Sequence, residues 1–224
     1  MKNISEKKNI IENIQKEIEQ SREDRIWIGY INALKIISEV VFTKSSSFIL
    51  EMIQNAEDSG LGLNTEGEFE ININEKRVKI IHNGKPFDEK DVNALCRIGS
   101  SKKPEQGTLG YLGIGFKSVL KVTDCPEIYS NGFQFKFDRS YWRDDYINTP
   151  WQVIPIWIEK PSEDIDPDKT TFIIPLREPS YNQIILKELE KVKTELFLFL
   201  RWLKRIKVVD EVAERSWVLE NAGE

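Results

Sequence analysis

The segment FILEMIQNAED at 48–58 most constrains what this chain can fold into. As a helix at about 100° per residue, it places Glu51, Asn55 and Asp58 on one narrow stripe and apolar residues on the opposite arc. The apolar arc can pack on a sheet, while hard divalent cations prefer oxygen ligands and keep several waters. The stripe therefore predicts a helix that holds a hydrated cation. An ordinary surface helix is the alternative that this segment alone leaves open.

The composition fits one globular domain of generous size, or a core domain with an added helical segment. The 224 residues are 40% hydrophobic and 31% charged, with a formal net charge of −5. A negative chain repels nucleic acid, so nucleic acid is not an expected partner and an anionic ligand needs a local basic patch. Cys96 and Cys125 form no CxxC pair, which predicts reduced thiols in a cytoplasmic protein. The charged N-terminus and the short apolar runs predict no signal peptide and no membrane partner.

Hydrophobic periodicity predicts helices at 1–25, 26–58, 88–98, 115–122 and 181–206. Apolar runs, most of them alternating, predict strands at 68–74, 77–81, 133–137, 151–158 and 170–176. Prolines in the last two strands indicate edge positions or bulges. Helices followed by strands in hairpin-like succession predict an α+β fold: a two-layer α/β sandwich with a mixed, largely antiparallel sheet covered by helices on one face.

The same patterns divide the chain into three expected parts. An N-terminal helical arm covers 1–24, a central domain covers 25–180, and a C-terminal helix at 181–224 packs on that domain. In the arm, Ile4, Ile11 and Ile18 recur every seven residues and form a narrow apolar seam. The arm either packs across its own domain or exchanges with a partner chain.

The second informative segment is GTLGYLGIGFKSV at 107–119, in which four glycines run into a helical stretch. Glycine lets a backbone approach a ligand closely, and successive N–H groups before a helix can bind an anion. Lys102, Lys103 and Lys117 add positive charge. The segment lacks the GK[ST] ending of a Walker A loop and the strand context of a dinucleotide fingerprint. A phosphate-binding loop and a flexible surface loop both stay open.

The third segment is IIHNGKPF at 80–87, where a strand ends in a His-Asn-Gly turn at the rim of the sheet. His82 is the only histidine of the chain. On its own it is interpreted as a structural residue whose hydrogen bonds are satisfied.

Taken in order, these segments resemble the motifs of the GHKL or Bergerat-fold ATPases. Glu51-x-x-x-Asn55-Ala56-x-Asp58 is similar to the N box, and HNGKPF at 82–87 stands in the place of the first glycine motif. GYLGIGFKS at 110–118 is similar to the second glycine motif, at the end of the ATP lid. Thr170 matches the threonine that lies under the adenine. The resemblance covers residues 25–206 and, within the superfamily, points to the sacsin and NO VEIN-like branch.

The resemblance implies a Bergerat fold with a GHKL-type ATP-binding domain at 25–180, and ATP and Mg²⁺ as cofactors. Asn55 would bind Mg²⁺ through its amide oxygen, and Glu51 would orient and deprotonate the attacking water. The lid at 99–113 would close over the nucleotide, exclude water and couple slow hydrolysis to a change of shape. The implied cofactor-binding residues are Asn55, Asp58, His82, Gly84, Phe87, Lys102, Gly110, Gly113, Gly115, Phe116, Lys117 and Thr170.

His82 departs from the pattern of the superfamily, in which most members carry an aspartate that accepts a hydrogen bond from the adenine amino group. A neutral imidazole can still accept one bond, but an imidazolium cannot. Nucleotide binding is therefore expected to weaken as the pH falls through the histidine range. Altered base specificity and loss of nucleotide binding are further outcomes that the sequence leaves open.

Three functions follow as hypotheses. The first is Mg²⁺-dependent ATP binding and hydrolysis by the ATPase module of a sacsin-like or chaperone-like protein. The others are a nucleotide-sensing or protein-interaction module without turnover, and a scaffold that has lost the nucleotide. A histidine kinase is disfavoured because the only histidine lies in the turn assigned to the base. The expected partners are the nucleotide, a client or effector protein, and a second copy in a nucleotide-dependent homodimer.

Overall fold

One continuous β-sheet forms the centre of the protein. The computed structural model describes residues 4–21, 26–36, 47–96, 115–192 and 194–221. Within these ranges the sheet has eight strands: β1 (Gly67–Ile73), β2 (Arg77–His82), β3 (Glu127–Ser130), β4 (Phe133–Lys136), β5 (Ile156–Trp157), β6 (Thr170–Pro175), β7 (Leu203–Asp210) and β8 (Arg215–Glu220). Their order is β5-β4-β3-β6-β2-β1-β7-β8. Neighbouring strands are antiparallel except β1 and β7, which run parallel. The predicted mixed, largely antiparallel sheet is confirmed.

Five α-helices accompany the sheet in the described ranges. They are α1 (Ile4–Gln20), α2 (Ile26–Ile36), α3 (Ser47–Gly60), α4 (Glu89–Leu95) and α5 (Ser180–Leu189). Short 3₁₀ helices cover Phe116–Lys121, Ser140–Ile147 and Thr194–Phe199. None of the helices in these ranges has both the length and the apolar character needed to cross a bilayer.

The two faces of the sheet differ in polarity. On one face, Ile71 and Ile80 are fully buried in a cluster that also contains Ile11 of α1, Met52 of α3 and Ile185 of α5. On the other face charged side chains pair across strands and to a loop: the Nζ of Lys207 lies 3.4 Å from a carboxylate oxygen of Glu70, and that of Lys79 lies 3.1 Å from one of Glu163. The helices thus cover one face, as the α+β sandwich predicts.

Helix α1 packs across its own domain. Ile11 and Ile14 are buried in the main core, and α1 contacts β4 and β5. The Nζ of Lys7 lies 3.8 Å from the ring centroid of Phe133 on β4. Of the two arrangements expected for the apolar seam, the structure shows the one within the chain. A nucleotide-dependent homodimer stays a prediction, without the seam as its basis.

The predicted helix at 181–206 is wrong beyond its first third. α5 ends at Leu189, and β7 and β8 extend the sheet beyond β1. The run FLFLRWLKRI fits a helical period. Its end nevertheless pairs with the free edge of β1 and becomes a strand, in which buried residues alternate with more exposed ones. Tertiary pairing therefore overrides local propensity there.

The prolines gave one right and one wrong inference about the strands. β5 lies at the edge of the sheet, as expected, but it covers only Ile156–Trp157 of the predicted 151–158. β6 lies in the interior of the sheet, between β3 and β2. An interior place is compatible with its proline because Pro175 is the last residue of the strand. A proline at the end of a strand removes no ladder hydrogen bond from its middle. Strand β3 was missed altogether.

A buried carboxylate joins α3 to the start of β7. Glu57 is 1% exposed, and its two oxygens accept hydrogen bonds from the backbone N–H groups of Arg201 at 2.6 Å, Trp202 at 2.9 Å and Leu203 at 2.8 Å. Trp202 also fills the space beside Gly60 at the end of α3, where a Cβ would lie 1.8 Å from its ring. Sequence reasoning assigned Glu57 no role, although this contact fixes the helix that carries the acid–amide stripe.

We expect Glu57→Gln to lower the free energy of unfolding by about 2 kcal/mol, because the amide keeps one acceptor oxygen and turns an NH₂ group toward backbone donors. Urea denaturation followed by circular dichroism measures the change. The matched control is Glu75→Gln, at an exposed position of the β1–β2 turn, which should stay within about 0.5 kcal/mol of the parent. Equal midpoints for the two variants would contradict the structural role of Glu57.

Candidate functional site

Helix α3 presents the acid–amide stripe that the sequence predicts. Met52, Ile53 and Ala56 are buried against the sheet, whereas Asn55 is exposed and Glu51 is half-buried. Asp58, one turn after Asn55, is half-buried as well. The amphipathic arrangement is thus confirmed, and the polar edge of α3 is the surface on which a site can form.

The end of the glycine-rich segment lies against the first residue of this stripe. A Cβ added to Gly115 would lie 2.2 Å from Oε2 of Glu51, so only glycine allows this approach. Gly115 has ordinary helical angles (φ −57°, ψ −47°). Glycine is therefore needed at this position for steric reasons and not for its conformational freedom. Burial raises the pKa of the Glu51 carboxyl, which makes its ionised form a stronger base toward a nearby water.

The His-Asn-Gly turn lies against the other end of α3. A Cβ added to Gly84 would lie 2.0 Å from Oγ of Ser59, and the N–H of Lys85 donates to the carbonyl of Ser59 at 3.0 Å. From Glu51 to Ser59 the helix rises by about 12 Å at 1.5 Å per residue. One helix therefore separates the two glycine motifs along its axis.

Three of the predicted cofactor-binding residues, His82, Phe87 and Thr170, lie together on adjacent strands and their ends. His82 stands opposite Thr170 in the β2–β6 register. The hydroxyl oxygens of Thr170 and Ser130 are 2.6 Å apart, and the Ser130 oxygen accepts the N–H of Phe87 at 3.0 Å. Ser130 was not among the predicted residues, because the strand that it ends was missed.

An aromatic cluster supports this end of the site. The ring of Phe172 on β6 is stacked on the imidazole of His82 at a centroid distance of 6.1 Å. The rings of Phe87 and Phe116 lie 6.2 Å and 5.8 Å from Phe172. Phe172 thus connects residues from both glycine motifs. The sequence shows it only as part of a strand, with no signal that separates it from other core residues.

The imidazole of His82 has a defined protonation pattern. Its Nδ1 accepts the N–H of Gly84 at 3.2 Å, so the ring proton lies on Nε2. Burial lowers the pKa of His82 to about 4, because the charged form loses its hydration. The lone pair expected to accept from an adenine amino group is therefore already engaged. Protonation also moves out of the ordinary histidine range, toward pH 4.

Lys117 points into the core. It is 3% exposed, and its Nζ donates to the carbonyls of Leu95 at 2.5 Å and Gln152 at 2.7 Å. It also lies 4.4 Å from the ring centroid of Phe137, and burial lowers the pKa of the ammonium to about 8. These contacts explain the lysine structurally, and its predicted role at the phosphates stays a prediction.

Part of the predicted site lies outside the described residues. This holds for the lid at 99–113 and for Lys102, Gly110 and Gly113.

The donor set suits a magnesium ion that arrives with its ligand. No group of three or more His, Cys, Asp or Glu side chains in the described ranges is placed to hold a metal. Mg²⁺ in proteins is commonly held by one or two side-chain oxygens together with substrate phosphates and waters. The exposed amide of Asn55, one turn from the carboxylate of Glu51, fits that requirement.

Comparison with known proteins places the site in a family context. The model of the Sacsin domain matches residues 31–141, a span that contains α3, the 82–84 turn and Gly115. The Protein NO VEIN of Arabidopsis thaliana is 40% identical over 116 residues, which cover 51% of this chain and 4% of that protein. The Sacsin of Homo sapiens is 28% identical over 108 residues, which cover 42% of this chain and 2% of that protein. The matches support a relation to the sacsin and NO VEIN-like branch, and they span only a small fraction of these much longer relatives.

We expect nitrogen-15 NMR of the single histidine to show the Nε2–H tautomer at pH 7, with no change between pH 8 and pH 5.5 and titration near pH 4. No resonance assignment is needed, because the chain contains one histidine. Urea-unfolded protein is the control and should titrate near the ordinary value of about 6.5. An Nδ1–H tautomer, or titration of the folded protein near 6.5, would show that the Gly84 contact does not hold in solution.

Proposed function

We propose that this chain is a nucleotide-dependent module that binds Mg²⁺·ATP and hydrolyses it slowly within a sacsin-like protein. One observation carries the proposal: Gly115 and Gly84, from the two glycine motifs, press against the two ends of the helix that bears Glu51 and Asn55. The identity of the nucleotide rests on the resemblance to GHKL ATPases.

In this proposal Glu51 is the general base. Its carboxylate is half-buried beside the backbone of Gly115, where the chain enters the 3₁₀ helix Phe116–Lys121. The raised pKa of the carboxyl strengthens its ionised form as a proton acceptor. It would hold the attacking water and accept its proton.

Asn55 is the proposed ligand for Mg²⁺, and the bound cation would neutralise phosphate charge. The amide is exposed, uncharged and one turn away from Glu51, so it can offer an oxygen without adding negative charge beside a triphosphate. Phosphoryl transfer depends mostly on positioning and charge neutralisation. Glu51 would position the attacking water, and the cation held by Asn55 would neutralise charge. The helix fixes the distance between the two side chains.

We expect Glu51→Ala to bind Mg²⁺·ATP within a few-fold of the parent but to lower kcat by on the order of 10²–10⁴, since only the base is lost. Asn55→Ala should instead abolish the Mg²⁺-dependent part of binding. Calorimetry and phosphate release measure the two effects.

Gln54→Ala is the matched control for these variants, because it truncates a neighbouring side chain that lies off the stripe. Unchanged turnover in Glu51→Ala would remove the proposed base. Tight binding without phosphate release from the parent would turn the proposal into a nucleotide-sensing module.

We expect Gly115→Ala to stay within about 1 kcal/mol of the parent in stability but to lower kcat almost as far as Glu51→Ala. The backbone at Gly115 suits alanine, and the new methyl group meets only the flexible end of Glu51, which it displaces. Gly29→Ala is the control: an added Cβ on α2 meets nothing within 4 Å, so helix propensity alone should stabilise the protein without altering turnover. Equal turnover in both glycine variants would show that the position of Glu51 is unimportant.

A further inference from the structure

We propose that two copies of this chain associate edge to edge through β8 and join their sheets into one antiparallel sheet. This edge lies outside the residues used in the proposed function, and pairing there needs no nucleotide. Three features of β8 support it: the direction of its backbone groups, the lack of the usual protection of an edge strand, and a side-chain pattern that complements itself.

The outer side of β8 carries backbone groups that no described strand pairs with. β8 is the last strand in the order of the sheet, and its inner side pairs with β7 from Arg215 to Glu220. Just beyond it, the N–H of Asn221 donates to the carbonyl of Lys204 on the β7 side at 3.0 Å. Alternate residues of an antiparallel strand face the same neighbour. The N–H and C=O groups that face outward from β8 are therefore those of Ser216, Val218 and Glu220.

The two edges of the sheet are protected to different degrees. At the far edge, β5 has only two residues, follows Pro155 and contacts α1. A short strand, a proline and a covering element all keep an edge from pairing with another chain. β8 has six residues in unbroken register with β7, and it contains no proline, lysine or bulge. Of the two edges, β8 is therefore the one that can accept a further strand.

The side chains of β8 complement themselves in one antiparallel register. A two-fold axis at Val218, the middle of the three outward-facing residues, uses all of them and forms about six backbone hydrogen bonds. Ser216 of one copy then lies opposite Glu220 of the second copy, and Trp217 lies opposite Leu219. Apolar residues meet apolar residues and no charge lies opposite a like charge, which is the pattern that stabilises a strand pair. The sequence of this strand thus fits a second copy of itself.

Exposed apolar side chains lie beside the same edge. Val218 is 39% exposed, and Trp217 and Leu219 are only partly buried against the core. The 3₁₀ helix Thr194–Phe199 contacts β8 and carries Leu198 and Phe199, which are 81% and 70% exposed. Apolar side chains grouped beside an open strand are typical of a surface that another protein chain covers. They add apolar area to the backbone hydrogen bonds of the joint.

The test measures self-association of the full chain by sedimentation velocity, without nucleotide, from about 1 μM to about 200 μM. We expect a monomer–dimer equilibrium with a Kd on the order of 10 μM, because one strand pair makes a small interface. Val218→Pro removes an outward N–H at the axis and leaves the ladder with β7 intact, so it should raise the Kd about tenfold or more. Val218→Thr keeps the N–H and is the matched control, which should stay within a few-fold of the parent.

A pair of charge variants tests the register. Val218→Lys and Val218→Glu each place two like charges opposite one another at the axis, and each should raise the Kd about tenfold or more. An equimolar mixture of the two variants should associate again, because opposite charges then face each other. Thermal unfolding verifies that each variant is folded, and the charge variants carry the test if the proline variant is not.

Several outcomes would overturn the proposal. A parent that stays monomeric at every concentration would show that β8 does not pair with a second copy. A folded Val218→Pro variant with the Kd of the parent, or a mixture that associates no better than its components, would exclude pairing about Val218. A dimer that forms only with Mg²⁺·ATP would overturn it too and would favour the nucleotide-dependent homodimer. Failure of the proposed function would instead appear as absence of nucleotide binding, with self-association unchanged.

Discussion

The geometry of the site depends on the position of one helix, and a buried carboxylate fixes that position. Glu57 receives three backbone N–H groups from the start of β7, on the side of α3 that faces the sheet. An unpaired carboxylate there would be costly, so helix and strand are stable only together. This contact fixes the position of the polar edge of α3 relative to the two turns that contain Gly84 and Gly115.

Burial sets the chemistry of the site more than charge does. The chain is negative overall, yet the residues of the candidate site include a half-buried carboxylate, an amide and a neutral imidazole. Desolvation raises the pKa of Glu51 and lowers the pKa of His82, so each is shifted toward its uncharged form. In the proposed function such an environment strengthens the interaction between fixed donors and a charged ligand.

The sequence was sufficient where a local pattern determines the structure. The arc of α3 and the alternation in β1 and β2 are visible in single segments, and the structure has each of them. It was insufficient where distant segments decide. β7 pairs with β1 across a long stretch of chain, and the run before it suits a helix equally well. The tautomer of His82 depends on a hydrogen bond from one backbone N–H to Nδ1, at 3.2 Å. The residue types alone do not reveal that this N–H points at the ring.

The parallel pairing of β1 with β7 has a consequence for biosynthesis. Glu57 and Trp202 are separated by 145 positions, so a nascent chain on the ribosome exposes the free edge of β1 until β7 has been synthesised. Contacts of such high sequence separation form slowly, and an unpaired edge strand invites association with other chains. The order in which the segments emerge therefore delays the locking of α3 until β7 has been translated, and the intermediate that precedes it exposes an edge strand.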